Sequence, residues 1–307
     1  MKTINDYKQT MQPWPGLSKF GRSIELTYEN LRVFFFEAGI TDKPNIVMIH
    51  GLGDEADTWR HVFLPLSMNY HVVALDLPGF GRSDKPHIGY TPKFLMETII
   101  HLIDQLGMKS VILMGNSLGG ILSHALAFKY PERIIGLILV DGAILQLSPM
   151  RDINFALMRI PLLGEWFYTH LRKNPDAAFN SLRPVYHDLD SLPSSDRDFL
   201  YTRVNQRVWS DGQKRAYFST LRNLSSWIRD SQADLPAQLA ALQTPTLVVR
   251  GESDNLFPKE NAMGLLNIQP RTSFHTIKDA KHLPHQEQPL NFLSVVSSWL
   301  NEIQEVI

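Results

Sequence analysis

The sequence predicts an α/β fold with a mostly parallel central sheet, helices on both faces and a helical insertion. Three observations carry that expectation. Short runs rich in β-branched residues, each closed by a polar or glycine-bearing turn, read as buried parallel strands. Segments with apolar residues at helical spacing alternate with them, the pattern of repeated strand–helix units. One stretch, from Gln146 to Asp234, contains no run that reads as a buried strand.

In chain order, Ser23 to Glu37 (SIELTYENLRVFFFE) reads as two antiparallel strands joined at Glu29-Asn30. Asn45–His50 (NIVMIH) and His71–Asp76 (HVVALD) are the first buried strands. Between Pro92 and Leu106 the residues Leu95, Ile99, Leu102, Ile103 and Leu106 share one helix face, and Gly107 suits the helix end. Val111–Met114 is the next strand, Leu118–Tyr130 a helix halted by Pro131, and Ile134–Val140 another strand. After Ala233 come a short helix near Pro236–Leu242, the strand Thr246–Val249, a helix after Pro258, a strand near Ser273–Ile277 and a last helix. That helix carries Phe292, Leu293, Val296, Trp299, Leu300 and Ile303 on one stripe.

The stretch that breaks the alternation contains Trp166, Phe167, Tyr168, Trp209, Tyr217, Phe218 and Trp227, too many aromatic residues for a flexible linker. It reads as a helical insertion. The expected division is therefore a core over residues 1–145, the insertion over 146–234 and the rest of the core over 235–307.

Composition excludes several classes of function. Apolar residues make up 44% of the 307 and charged residues 20%, the balance of a globular chain. Thirty Lys plus Arg against 31 Asp plus Glu leave a net charge of -1, so no overall field draws nucleic acid or an anionic membrane. Without cysteine there is no disulfide, thiolate metal site or cysteine nucleophile. The N-terminus, which begins at Met1, lacks the apolar run of a secretory signal, and no later run is long enough to span a bilayer. The expectation is a cytoplasmic enzyme with a small-molecule partner, and oligomeric state is not legible.

The strongest chemical signal is Gly115-Asn116-Ser117-Leu118-Gly119, a G-x-S-x-G between the strand SVILM and the helix LGGILSHALAF. A sharp strand-to-helix turn strains the backbone of its central residue and forces small residues two positions either side. The plainer alternative is a glycine-rich turn with an N-cap serine. A serine hydroxyl needs a base to take its proton, so a histidine later in the chain and a carboxylate to orient it are expected. Of eleven histidines, His282 lies in the loop KDAKHLPHQEQP, after the last strand and before the last helix, where strand ends converge. His285 reads as structural or solvated, serving the helix start with Glu287. Asp254 follows the strand TLVVR and falls between Ser117 and His282 in the order such sites use; Asp141, also at a strand end, is its rival. His50-Gly51-Leu52-Gly53 follows the strand NIVMI. A turn there offers the backbone amide of Leu52, beside that of Leu118, to a developing oxyanion, although the same four residues also suit an ordinary βα turn.

HGLG, DLPGFGRSDKP from Asp76 to Pro86, GNSLGG, GESDNLFP and KHLPHQEQP together resemble the α/β-hydrolase fold superfamily in its capped esterase and lipase-like branch. The resemblance covers about nine-tenths of the chain. It implies the α/β-hydrolase fold, Ser117 as nucleophile, His282 as base, Asp254 as orienting acid, the insertion as a helical cap, and a structural role for DLPGFGRSDKP. It implies neither metal nor organic cofactor. The expected reaction is cleavage of carboxylic esters of small to medium acyl chains through an acyl-enzyme. Asn116-Ser117 is shared with carbon–carbon hydrolases of ring-cleavage products, but Asp54-Glu55-Ala56 and Leu283 depart from their pattern. A receptor that kept the pocket is the other alternative. The insertion's arginines, Arg159, Arg183 and Arg207 among them, read mostly as solvated helix faces.

Overall fold

In the computed structural model residues 7–144 and 158–304 are described. The boundary expected at residues 145 and 146 lies outside them, as do the first six residues. The strands are β1 (Gly21–Leu26), β2 (Leu31–Ala38), β3 (Asn45–Ile49), β4 (His71–Leu75), β5 (Val111–Asn116), β6 (Ile134–Val140), β7 (Thr246–Gly251) and β8 (Thr272–Ile277). They form one sheet in the order β1-β2-β4-β3-β5-β6-β7-β8. β2 runs antiparallel to β1 and β4, and the other pairings are parallel. From β3 the chain steps one way to β4 and then back past β3 to β5, so the strand order reverses at β3. Crevices outside the carboxyl ends of strands form at such a reversal.

The helices are α1 (Phe63–Ser67), α2 (Pro92–Gln105), α3 (Leu118–Lys129), α4 (Leu163–His170), α5 (Pro175–Asn180), α6 (Ser194–Trp209), α7 (Asp211–Asp230), α8 (Leu235–Ala241), α9 (Lys259–Ile268), α10 (Pro284–Glu287) and α11 (Pro289–Gln304). Because side chains alternate across a strand, the central strands feed two cores. Val47, Ile49, Leu113, Leu137 and Leu139 meet α2, α3, α8 and α9 on one face. Ile46, Met48, Ile112, Met114, Ile138 and Val140 meet α1 and α11 on the other. The stripe Phe292, Val296, Trp299, Leu300, Ile303 is buried as its spacing predicts. In α2 the Thr91 side chain accepts from Phe94 N at 3.1 Å, and Gly107 leaves the helix at φ 71°.

α1, α10 and the 3-10 turn Pro15–Phe20 have no counterpart among the elements expected from the sequence. Each is shorter than two turns of α-helix, too short for periodicity to show.

Among its described residues the insertion holds α4 to α7 and no strand. α7 joins the main core through Ala216, with Tyr217, Leu224 and Trp227 against it. The insertion also has small cores of its own, and one of them, around Tyr186, Leu189, Leu192 and Leu200, takes in Leu283 from the loop after β8. Among the described residues no helix is long and apolar enough to cross a membrane.

Candidate active site

β5 ends at Asn116 and α3 begins at Leu118, so the chain turns at Ser117. It does so at φ 53° and ψ −114°, a sparsely populated conformation that costs about 1–3 kcal/mol in a residue with a Cβ. Its surroundings enforce it. Ser117 N donates to Val140 O at 2.9 Å, and Ser117 O accepts from Ile121 N at 3.1 Å. A Cβ on Gly115 would lie 2.2 Å from Gly119 O, and one on Gly119 would lie 2.1 Å from Ile49 O. The glycines two positions either side of Ser117 are therefore demanded by backbone contact. Ser117 itself is only partly buried, and its hydroxyl makes no hydrogen bond among the described residues.

His282 and Asp254 come together in the structure. His282 Nδ1 lies 2.9 Å from Asp254 Oδ2, and both residues are buried. Asp254 also accepts from Leu256 N at 2.8 Å and Phe257 N at 3.2 Å, and Arg250 donates to its backbone carbonyl. Burial alone would raise the Asp254 pKa; the His282 ring and the donors around the carboxylate outweigh it and hold the group below its usual value. The backbone of His282 is fixed from two sides. Its carbonyl accepts from Asn116 Nδ2 at 3.0 Å, which sets it beside the turn of Ser117, and its N–H donates to Val185 O of the insertion at 3.1 Å. Asp141, the rival carboxylate, stands at the end of β6. It accepts from Gly251 N at 3.1 and 3.2 Å and makes no hydrogen bond to His282.

The turn after β3 lies against Ser117, since a Cβ on Gly51 would be 3.3 Å from Ser117 Cβ. Leu52 N and Leu118 N have no acceptor among the described residues. Buried His50 props this turn from below: Leu77 N donates to its Nε2 at 2.9 Å, which leaves the proton on Nδ1, 2.7 Å from Gly51 O. Tyr217 from α7 closes over the same turn, with its ring 3.0 Å from where a Cβ on Gly53 would stand. Tyr168 packs beside it at 5.7 Å between ring centroids.

Behind this turn lies a cluster of buried charges that sequence reasoning missed. Asp76 accepts from Ala56 N at 2.7 Å and from Arg82 Nε at 2.8 Å, and Arg82 also meets Asp57 at 2.5 Å. From α6, Arg203 pairs with Glu55 at 2.9 Å, and Arg207 pairs with Glu55 at 2.7 Å and with Asp54. Arg207 is thus a half-buried ion-pair partner, an exception to the solvated helix faces expected for most of the insertion's arginines, whereas Arg159 and Arg183 are exposed. Charge alternation along a helix does not say which charges find partners across the fold; only the DLPGFGR resemblance pointed to this region. The structural part expected of that loop is visible in Asp76 and Arg82.

His285 is fully buried and does not cap the helix. Its ring packs 4.3 Å from Trp59, its Nε2 lies 3.0 Å from Thr58 Oγ1, and burial pushes its pKa down to about 3.

The ligand atoms of Asp141, Asp254 and His282 lie within 4.8 Å of one another, close enough to share a metal ion. Two backbone amides and the His282 ring already occupy the Asp254 oxygens at hydrogen-bond distance, so the donor set suits a proton relay better than a cation.

A family model described as alpha/beta hydrolase fold matches residues 44–289. The 2-hydroxymuconate semialdehyde hydrolase of Pseudomonas sp. (strain CF600) is 27% identical over 262 residues, 84% of this chain and 87% of that protein. Among solved structures, Cfl2 from Burkholderia cenocepacia superposes with a TM-score of 0.79 at 25% identity, over 91% of this chain and 95% of that one. A bacterial membrane phospholipase A superposes with a TM-score of 0.69 at 25% identity, over 92% of this chain and 86% of that one.

Proposed function

The chain belongs to the α/β-hydrolase fold family, and on that premise we propose that it is a serine hydrolase cleaving carboxylic esters of small to medium acyl chains. Ser117 is the nucleophile, His282 the general base held by Asp254, and the amides of Leu52 and Leu118 the oxyanion donors. His282 takes the hydroxyl proton as Ser117 attacks the carbonyl carbon, and the tetrahedral oxyanion forms against the two amides. Returning that proton to the alkoxide leaving group gives the acyl-enzyme. Water, activated by the same ring, then releases the acid. The helices of the insertion act as a cap, with Tyr217 and Tyr168 over the turn that holds Leu52. The partner is a small-molecule ester, and no step calls for a metal or cofactor.

The relatives' names support two readings, one being a phospholipase A and another a hydrolase of 2-hydroxymuconate semialdehyde. The observation that favours esters is the pairing of the cap's buried arginines. A carbon–carbon hydrolase must hold the second carboxylate of a dienol as well as the carbonyl it attacks, and a buried cationic side chain is the natural partner. Arg203 and Arg207, nearest the oxyanion turn, are already matched by Glu55, Asp54 and Asp57. Breaking such a buried pair costs about 3–5 kcal/mol, so neither is available to a substrate anion. A receptor reading gains nothing from a strained serine beside a buried carboxylate–histidine pair. Steady-state rates on p-nitrophenyl acetate to decanoate and on a ring-cleavage dienone separate the readings. Esters are expected to turn over faster, with the optimum below the longest chains; faster turnover of the dienone than of every ester overturns the proposal.

A further inference from the structure

Asp141 is a second carboxyl buried in the same site, and the ester mechanism assigns it nothing. It follows β6 at φ 46° and is fully enclosed. One of its oxygens, one oxygen of Asp254 and a ring nitrogen of His282 lie within 4.8 Å of one another. Two carboxylates this close and this buried do not both stay ionised, because each would face the other's charge without water between them. Which one keeps the proton is decided by the donors around each. Asp254 accepts from two backbone amides and from His282, three donors that all favour the anion. Asp141 accepts from a single amide, that of Gly251.

We propose that Asp141 is a positioning residue: its carboxyl is the neutral acid of the pair and donates its hydrogen to Asp254, fixing the anion that His282 faces. The inference rests on the role given above to Asp254 and His282. The electrostatics agree with it. Burial first, and then repulsion from Asp254, push the Asp141 pKa well above the carboxylate range, against the opposing pull of Gly251 N–H and the Arg250 guanidinium. Besides Asp254 and His282, Arg250 on β7 is a charged group that acts on Asp141.

A neutral aspartic acid and an asparagine offer the same pattern here, an oxygen to accept from Gly251 N–H and a hydrogen to give to Asp254. Asp141→Asn is therefore expected to keep kcat within about threefold and to leave the acid limb of the kcat/KM pH profile unmoved. Asp141→Ala removes the donor. It is expected to lower kcat about tenfold with KM nearly unchanged, and to move the acid limb to higher pH, because an Asp254 anion with one donor fewer stabilises the imidazolium more strongly. Rescue by asparagine and a displaced pH midpoint are readouts that a merely structural role would not give.

Infrared difference spectra of the two states, wild type minus Asp141→Asn, judge the proton without requiring turnover or the alanine variant to fold. The expected result is loss of a protonated-carboxyl C=O band from carbon-13 aspartate-labelled protein. Loss of a carboxylate band, together with an acid limb shifted about one pH unit lower in Asp141→Asn, overturns the proposal. If no ester is turned over but the C=O band is present, the ester reading fails and the protonation of Asp141 stands.

Discussion

Replacing Ser117 with alanine is expected to lower kcat/KM for every ester substrate by on the order of 10⁴-fold or more, because the covalent route then has no nucleophile. The fold should survive the change. Alanine keeps the Cβ that the turn already accommodates at φ 53°, and the Ser117 hydroxyl gives up no hydrogen bond among the described residues. Thermal melts followed by circular dichroism should therefore agree within a few degrees. A residual rate above about a hundredth of the parent would assign the chemistry to another side chain.

The second large effect is expected at Asp254. Asparagine there cannot both accept from Leu256 N and Phe257 N and accept from His282 Nδ1. If its oxygen takes the Oδ1 place and serves Leu256 N, its NH₂ takes the Oδ2 place, where it opposes Phe257 N and drives the imidazole into the tautomer that cannot take a proton at the nitrogen facing Ser117. The charge that stabilises the imidazolium is lost as well. A fall of about 10³–10⁴-fold in kcat is expected, measured beside Asp141→Asn, which should be nearly silent. The two carboxylates are comparably buried and only a few ångströms apart, so the contrast reads out chemistry rather than damage to the core. Were Asp141→Asn the more harmful of the two, the orienting acid would belong to the end of β6.

What was legible in the sequence was what local physics writes into it. The central strands were visible as β-branched runs because both their faces are buried. α2 and α11 were visible because one stripe of each meets the sheet. The turn at Ser117 was legible through Gly115 and Gly119, since only glycine tolerates backbone oxygens where their Cβ atoms would be. Asp254 and His282 were singled out by their order along the chain, and the parallel register of β5 to β8 brings their loops to one end of the sheet. What stayed hidden depends on contacts across many residues. The pairing of Arg203 and Arg207 with the Asp54–Asp57 segment joins positions about 150 apart and leaves no periodic trace. Asp141 reads the same in sequence whether it orients a histidine, caps a turn or shares a proton; only its distance from Asp254 separates those roles. His285 shows the converse: its place three residues from His282 left a structural and a solvated role both open, and the structure buries it against Trp59.

An activated hydroxyl at Ser117 carries the proposed chemistry, and its most direct measurement is acid-quenched mass spectrometry of the protein during turnover of a p-nitrophenyl ester. The predicted result is a mass increase of one acyl group, mapped by peptide digestion to the segment bearing Ser117, absent from Ser117→Ala and accumulating in Asp254→Asn only on a far slower timescale. Ester turnover at the full rate with no adduct on Ser117, or with the acyl group carried by another residue, would contradict it.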